Sequence, residues 1–229
     1  MKIAITIATY QRPDGKSYDY LTRALNSIKN QSHQDFKVFL IGDKYEDNDE
    51  FESIAKSALD PDKIYFENLP VAMERSIYTG RHLWSCGGIN AMNTGISLAL
   101  ENGFSWVAHL DHDDYWAEDH LLDINNTISD FPEANFIYTA STYKNNLILP
   151  RNSNLDGVVY KRLPEPANVI HSSVCFNCNE IKLRYRDCTK EEGRLYPSDA
   201  DLWKRISSDN NTRSYFIDKL TSFQPQEGC

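Results

Sequence analysis

Asp111-His112-Asp113-Asp114 directly follows the apolar run Trp106–Leu110. Carboxylates this close repel one another, and raised pKa values or a bound cation relieve the repulsion. One or two carboxylates together with phosphate oxygens suit Mg2+ or Mn2+, so a D-x-D after a strand fits a metal that bridges to a diphosphate. The competing reading is a solvated acidic turn, with Asp114 capping the next helix. Gly87–Gly95, GGINAMNTG, offers two glycines for close backbone approach or positive φ. Its Asn90 and Asn93 are candidates to meet a polar ligand, against a plain helix start with packing glycines. In Pro197–Ile206, PSDADLWKRI, Ser198 or Asp199 can cap a helix that buries Leu202 and Ile206. If that helix start faces a cleft, its dipole lowers the pKa of a nearby carboxylate, which a general base requires.

The elements that must position these residues alternate. Lys2–Ala8, Phe36–Ile41, Lys63–Phe66, Ser105–Leu110 and Asn135–Ala140 read as strands. Tyr18–Asn30, Glu50–Leu59, Ala91–Glu101 and Ala117–Ser129 read as helices. Strands apolar on both faces and separated by helices predict an α/β fold around a mostly parallel sheet. Beyond Thr142 the pattern becomes more polar and proline-rich, with a last helix at Ser198–Ser207 and a last strand at Ser214–Ile217. Ligands of an open α/β sheet bind beyond the carboxyl ends of the strands. Three such ends carry polar groups: Thr9-Tyr10 with Arg12, then Asp43, then Asp111–Asp114. The expected site is an acidic crevice with an aromatic ring and an arginine beside it.

The chain has 229 residues, 41% hydrophobic and 25% charged, with a formal net charge of −9. That length suits one α/β domain, and the acidity argues against a nucleic-acid partner. No run of 18 apolar residues is present, so no transmembrane segment is expected. The opening residues lack a small-residue cleavage site and read as a strand, not a signal peptide. Five cysteines, an odd count, suggest reduced thiols in the cytoplasm. Cys175 and Cys178 form a C-x-x-C with Cys188 beyond it, and zinc would need a fourth ligand such as His171. Isolated thiols are the preferred reading.

Taken together and in order, these stretches resemble the GT-A fold glycosyltransferases, most closely the inverting members of family 2. ITIATYQRP is similar to that family's first strand and T-Y-N-R turn, with Gln11 for asparagine. VFLIGDKYED is similar to its second strand, INAMNTGISLAL to its A-R-N-x-G-I segment, and WVAHLDHDDYWAEDHL to its metal signature. SDADLWKRI is similar to its E-D-x-D-L-W-x-R motif. The compact form of the family, of the chlorella-virus type, fits the length. The resemblance implies a mixed, mostly parallel Rossmann-like sheet flanked by helices in a single domain. Residues 1–115 would be its nucleotide-sugar-binding half and residues 116–229 its acceptor-side half.

It implies that Thr9, Tyr10, Arg12 and Asp43 hold the nucleoside, that Asp111 faces the ribose or sugar, that Asp113 ligates Mn2+ or Mg2+ and that Asp199 is the general base; Asn90, Asn93 and His112 complete the expected donor set. The implied partners are a nucleotide sugar, by family habit UDP-linked, and a hydroxyl of a glycan or other acceptor. Rhamnose, glucose and galactose are all open as the sugar. His171, Ser172, Ser173 and Trp203 are acceptor-side candidates. Three departures stand out: Met92 replaces an arginine, Glu118 a proline, and Ser198 the glutamate before the expected base. The last leaves Asp199 and Asp201 as alternatives for the base; on a helix they point about 200° apart. Two other readings compete, a sugar nucleotidyltransferase and a non-catalytic nucleotide- or sugar-binding module. The first is disfavoured because the loop TYQRPDGKS holds a single glycine.

Overall fold

The computed structural model describes residues 1–144, 146–187 and 197–225. One mixed sheet runs through the molecule. Its first half is formed by β1 (Ile3–Thr9), β2 (Phe36–Gly42), β3 (Ile64–Asn68) and β4 (Trp106–His109). These pair in parallel in the order β3-β2-β1-β4. After β5 (Tyr115–Trp116), the second half contains β6 (Phe136–Tyr143), β7 (Leu147–Leu149), β8 (Val159–Lys161), β9 (Val174–Asn177) and β10 (Ser214–Phe223). The order continues β9-β6-β10-β5, with β7 beside β6 and β8 beside β10. The long β6 and β10 pair in parallel, and the antiparallel pairings are short.

Strand periodicity sorts the core into two faces. Ile3, Ile5 and Ile7 of β1 enter one cluster, where α1 (Ser17–Lys29), α2 (Asn48–Ala58) and α5 (His120–Asp130) pack. Ala4, Val107 and Phe176 point to the other, beneath α4 (Ile89–Glu101) and α6 (Ser198–Ser207). Among the described residues the remaining α-helix is α3 (Gly80–Cys86). The result is a three-layer sandwich with the apolar stripes of the helices turned inward.

The expected strands and helices of the first half are present, with ends moved by a few residues. Sequence patterning did not find α3, β5, β7, β8 or β9. The decisive addition is β9. It lies antiparallel between β4 and β6, with Ala108 opposite Cys175 on one side and Ile137 opposite Cys175 on the other. Since β9 runs against β4, the 3-10 turn His171–Ser173 that precedes it comes back to the carboxyl end of β4.

The C-x-x-C divides across the sheet. Cys175 lies in one core cluster and Cys178 in the other, both buried. They share no metal site among the described residues; Cys188 lies outside those residues.

Gly88 starts α4 with φ +79° and Gly95 lets the helix lie on the sheet. A Cβ on Gly95 would meet Thr6 Cγ2 at 3.1 Å and Ile41 Cγ1 at 3.5 Å. Gly95→Val should therefore push α4 off β1 and cost about 1–3 kcal/mol, the usual range for an overpacked core. Urea unfolding checks this; a midpoint equal to wild type would contradict so close a seating.

Candidate active site

Three parallel strand ends deliver the expected crevice. Thr9 closes β1, Asp43 follows β2, and Asp111 follows β4 by two residues. With Ala8, Tyr10, Arg12, His112 and Asp113 they line a cavity of about 420 Å3. Thr9 Oγ1, Asp43 Oδ1 and His112 Nε2 are buried without a hydrogen-bond partner among the described residues. Such groups are costly to bury empty-handed, so a cavity holding several is suited to a polar ligand.

Arg75 is part of this wall and had no motif to announce it. Its Nε donates to Asp43 Oδ2 at 2.9 Å, its Nη2 bonds the Asp43 carbonyl, and its guanidinium lies 4.9 Å from the Tyr10 ring centre. Tyr10 meets His112 edge to face at 5.5 Å. Arg12 is fastened to Asp14 and reaches Asp113 Oδ2 at 3.5 Å.

The acidic loop is held from both sides. Ser172 Oγ accepts from the Asp111 amide at 2.9 Å and donates to Asp114 Oδ2 at 2.5 Å. The Ser172 carbonyl accepts from Trp116 Nε1 at 2.6 Å. Arg23 donates to the Asp113 carbonyl at 2.5 Å. Asp114 is fully buried, and burial followed by the charges of Asp111 and Asp113 pushes its carboxyl well above the ordinary range. Asp114 thus anchors the loop and does not cap α5, whose first flanking residue is Asp119.

A second cavity, about 480 Å3, lies against the first. Trp84, Gly87, Met92 and Asp111 line both. Its own wall includes Tyr143, Val169, His171, Ser198 and Asp199. His171 Nδ1 pairs with Asp111 Oδ1 at 2.7 Å, and its Nε2 with the Tyr185 hydroxyl at 2.9 Å. Burial disfavours the imidazolium, but Asp111 and then Asp199 outweigh it, and the His171 pKa rises.

The α6 helix gives Asp199 and Asp201 different surroundings. Asp201 is 4% exposed and accepts from Arg186 Nε at 3.0 Å and Arg205 Nε at 2.6 Å. Burial opposes its charge, yet these two arginines bring its pKa below the ordinary value. Asp199 faces the second cavity; burial raises its pKa, with His171 pulling the other way. Pro197, not Ser198 or Asp199, is the capping residue, and in the first turn Asp199 Oδ1 accepts from the Ala200 amide at 2.7 Å.

Several expected contacts lie elsewhere. Asn93 gives its side-chain amide to Tyr185, donating to the carbonyl at 3.0 Å and accepting from the amide at 3.1 Å. Neither Asn93 nor Asn90 lines the two cavities. Asn90 is bound at its backbone, to Glu74 Oε1 and Thr94 Oγ1. On the acceptor side, Ser172, Ser173 and Trp203 are fully buried, and Trp203 belongs to the core against Phe136. Of those four candidates His171 remains at the cavity.

Residues 4–191 match the model of glycosyl transferase family 2. The chain belongs to that family. This glycosyltransferase is 37% identical over 237 residues to a glycosyltransferase of Acanthamoeba polyphaga mimivirus, covering 100% of this chain and 95% of the relative. Its fold is similar to that of S. aureus TarS 1-349 in complex with UDP-GlcNAc, with a TM-score of 0.69 at 17% identity over 100% of this chain. It is also similar to the mannosyltransferase PcManGT from Pyrobaculum calidifontis in complex with GDP-Man and Mn2+, with a TM-score of 0.62 at 14% identity over 99% of this chain. The glycosyltransferase spans 60% and 58% of those two structures. Its mixed sheet with flanking helices is thus the GT-A fold. Family membership sets aside the nucleotidyltransferase and the non-catalytic module. Among the described residues no helix is long and apolar enough to cross a membrane.

The His171–Asp111 pair yields a pH expectation. A raised folded pKa for His171 means its contribution to stability is complete below about pH 6.5 and fades as pH climbs through the folded value. Asp111, lowered mainly because His171 outweighs its burial, contributes above the ordinary carboxylate range and loses that as pH falls through its folded value. The pair therefore supports the fold most between those limits. In an NMR titration the His171 imidazole should titrate above about 6.5, and in Asp111→Asn it should drop. An unmoved titration in that variant would rule out Asp111 as the cause.

Proposed function

We infer that this glycosyltransferase is a divalent-metal-dependent inverting enzyme. It takes a nucleotide-diphosphate sugar in the Thr9–Asp43–Asp113 cavity and passes the sugar to a glycan hydroxyl in the His171–Asp199 cavity. The supporting observation is the junction: the two cavities meet at Asp111, with Asp113 on one side and Asp199 on the other. The lining of the first cavity comes from residues 8–113 and that of the second extends to residue 224, which fits a donor-side and an acceptor-side half.

The donor end fits a nucleoside. Asp43 and Arg75 offer an acceptor and a cation beside the Tyr10 ring, as a base and its ribose would require. UDP is the favoured nucleotide because TarS is described in complex with UDP and UDP-GlcNAc. A metal fits as well. The Asp113 side chain is 42% exposed and reached from one side by Arg12, leaving carboxylate oxygen available to a hard cation. Asp113 would hold Mn2+ or Mg2+, and Asp111 lines the same cavity. Once bound, such an ion neutralises charge on the leaving diphosphate. The buried thiols of Cys86, Cys175 and Cys178, none of them in a disulfide, fit a reducing, cytoplasmic setting.

In the proposed step the acceptor oxygen bonds to the anomeric carbon as the bond from that carbon to the diphosphate breaks. Asp199 takes the hydroxyl proton, the nucleoside diphosphate leaves, and the anomeric configuration inverts. Burial suits Asp199 to this role, because a carboxylate with a raised pKa holds a proton more firmly. His171 keeps Asp199 ionised through its charge and holds Asp111 at the junction.

A thermal-shift panel of nucleotide sugars with and without Mn2+ tests the donor site, since ligands stabilise in proportion to binding. One nucleotide sugar should stabilise the protein in a Mn2+-dependent way, and Asp113→Ala should abolish that dependence. Asp199→Asn should keep the shift yet lose about 10²–10⁴-fold in transfer. Wild-type transfer by that variant would overturn the base assignment.

The pH profile adds an independent check. Transfer should rise with pH through the Asp199 pKa, so the acid limb of kcat/KM should lie above the ordinary carboxylate value of about 3.9. His171→Gln removes the charge that favours ionised Asp199 and should move that limb to higher pH.

A further inference from the structure

Outside the two cavities, one cluster combines three chemically different metal ligands. His82 and Cys86 stand four residues apart on α3, hence on one face of it. Asp187 approaches from the stretch that follows β9. The ligand atoms of all three lie within 4.8 Å of one another. His82 Nε2 and Asp187 Oδ1 are 3.6 Å apart. Two ligands at about 2.0–2.2 Å from one ion at a tetrahedral angle stand about 3.4 Å apart, so this pair is already close to that spacing. The cluster is sheltered: Cys86 is 1% exposed, and the Tyr78 ring stacks on His82 at 3.8 Å.

We propose that His82, Cys86 and Asp187 form a zinc site, separate from the Asp113 site and selective for a different class of cation. The donor atoms carry the argument. Thiolate and imidazole favour zinc over Mg2+ or Mn2+, whereas the oxygen-only Asp113 suits those harder ions. Cys86 loses its proton on binding, the thiolate and the Asp187 carboxylate balance the dication, and neutral His82 adds no charge. Today the Cys86 thiol donates to the His82 carbonyl at 3.2 Å, so binding exchanges that weak bond for a metal–sulfur bond. Among the described residues three protein ligands converge, one short of the tetrahedral four.

The location gives the site a consequence. Trp84 and Ser85, between the two α3 ligands, line the cavity that holds Asp199. Asp187 sits one residue after Arg186, which grips Asp201 of α6. An ion here ties the α3 wall of the acceptor-side cavity to the segment that braces the α6 helix. The reading does not depend on which sugar or acceptor the enzyme uses.

The test uses the full chain, stripped by chelator and reloaded separately with ZnCl2, MnCl2 and CoCl2. Wild type should retain about one zinc per chain after gel filtration, by elemental analysis, and its cobalt form should show a thiolate charge-transfer band. Even indirect partners of a metal are worth about 10–100-fold in affinity, so His82→Ala, Cys86→Ser and Asp187→Asn should each lose at least that much for zinc. Zinc should raise the melting temperature of wild type and of Asp113→Ala but not of Asp187→Asn. If Cys86→Ser fails to fold, the wild-type cobalt spectrum and the partly exposed Asp187 variant still decide. Zinc retention unchanged in Asp187→Asn, or a cobalt spectrum without a sulfur band, would overturn the site.

Discussion

Asp111, Asp113 and Asp114 put three carboxylates into four residues, and the site depends on each finding a different answer to their mutual repulsion. Asp114 is buried, its pKa is driven up, and Ser172 holds it in place. Asp111 stays charged against His171. Asp113 is left at the cavity with Arg12 alongside. Two of the three are therefore compensated from within the fold, and the third is the one whose charge is open to a ligand. Were all three equally solvated, the loop would be an ordinary acidic turn with no fixed direction for any carboxylate.

Those answers come from a strand that runs the wrong way for a parallel α/β sheet. Because β9 is antiparallel to β4, the turn before it reaches the end of β4 from the opposite half of the chain. One 3-10 turn then supplies both Ser172 for Asp114 and His171 for Asp111. The same placement joins the two cavities, since Asp111 belongs to both. Met92, where the family's pattern has an arginine, also lies at that junction. Arg12 and Arg75 enter the first cavity from other elements.

This division explains what could be read from the sequence. Thr9, Asp43 and Asp111 end strands whose apolar runs are unmistakable, and parallel strands put such ends on one edge. The first half of the fold and its crevice were therefore legible. Arg75 was not, since it lies in irregular backbone between β3 and α3 and its partner Asp43 is distant in sequence. Nor was β9, only four residues long and followed by turns. Ser172 and Trp203, acceptor-side candidates by sequence, are fully buried, because polarity and aromaticity do not reveal burial; tertiary packing does. Asn93 misled for a related reason: its amide satisfies the backbone of Tyr185, 92 residues away.

The α6 helix shows how environment divides roles between like residues. Asp199 and Asp201 sit in the same first turn, where the helix dipole favours negative charge on both. Asp201 faces Arg186 and Arg205, so its charge is spent on bracing the helix and is held ionised over a wide pH range. Asp199 faces a cavity, with burial raising its pKa and His171 restraining the rise. Burial and His171 thus act in opposite directions on Asp199, whereas both arginines act in one direction on Asp201. Asp201 therefore braces the same helix turn that presents Asp199 to its cavity.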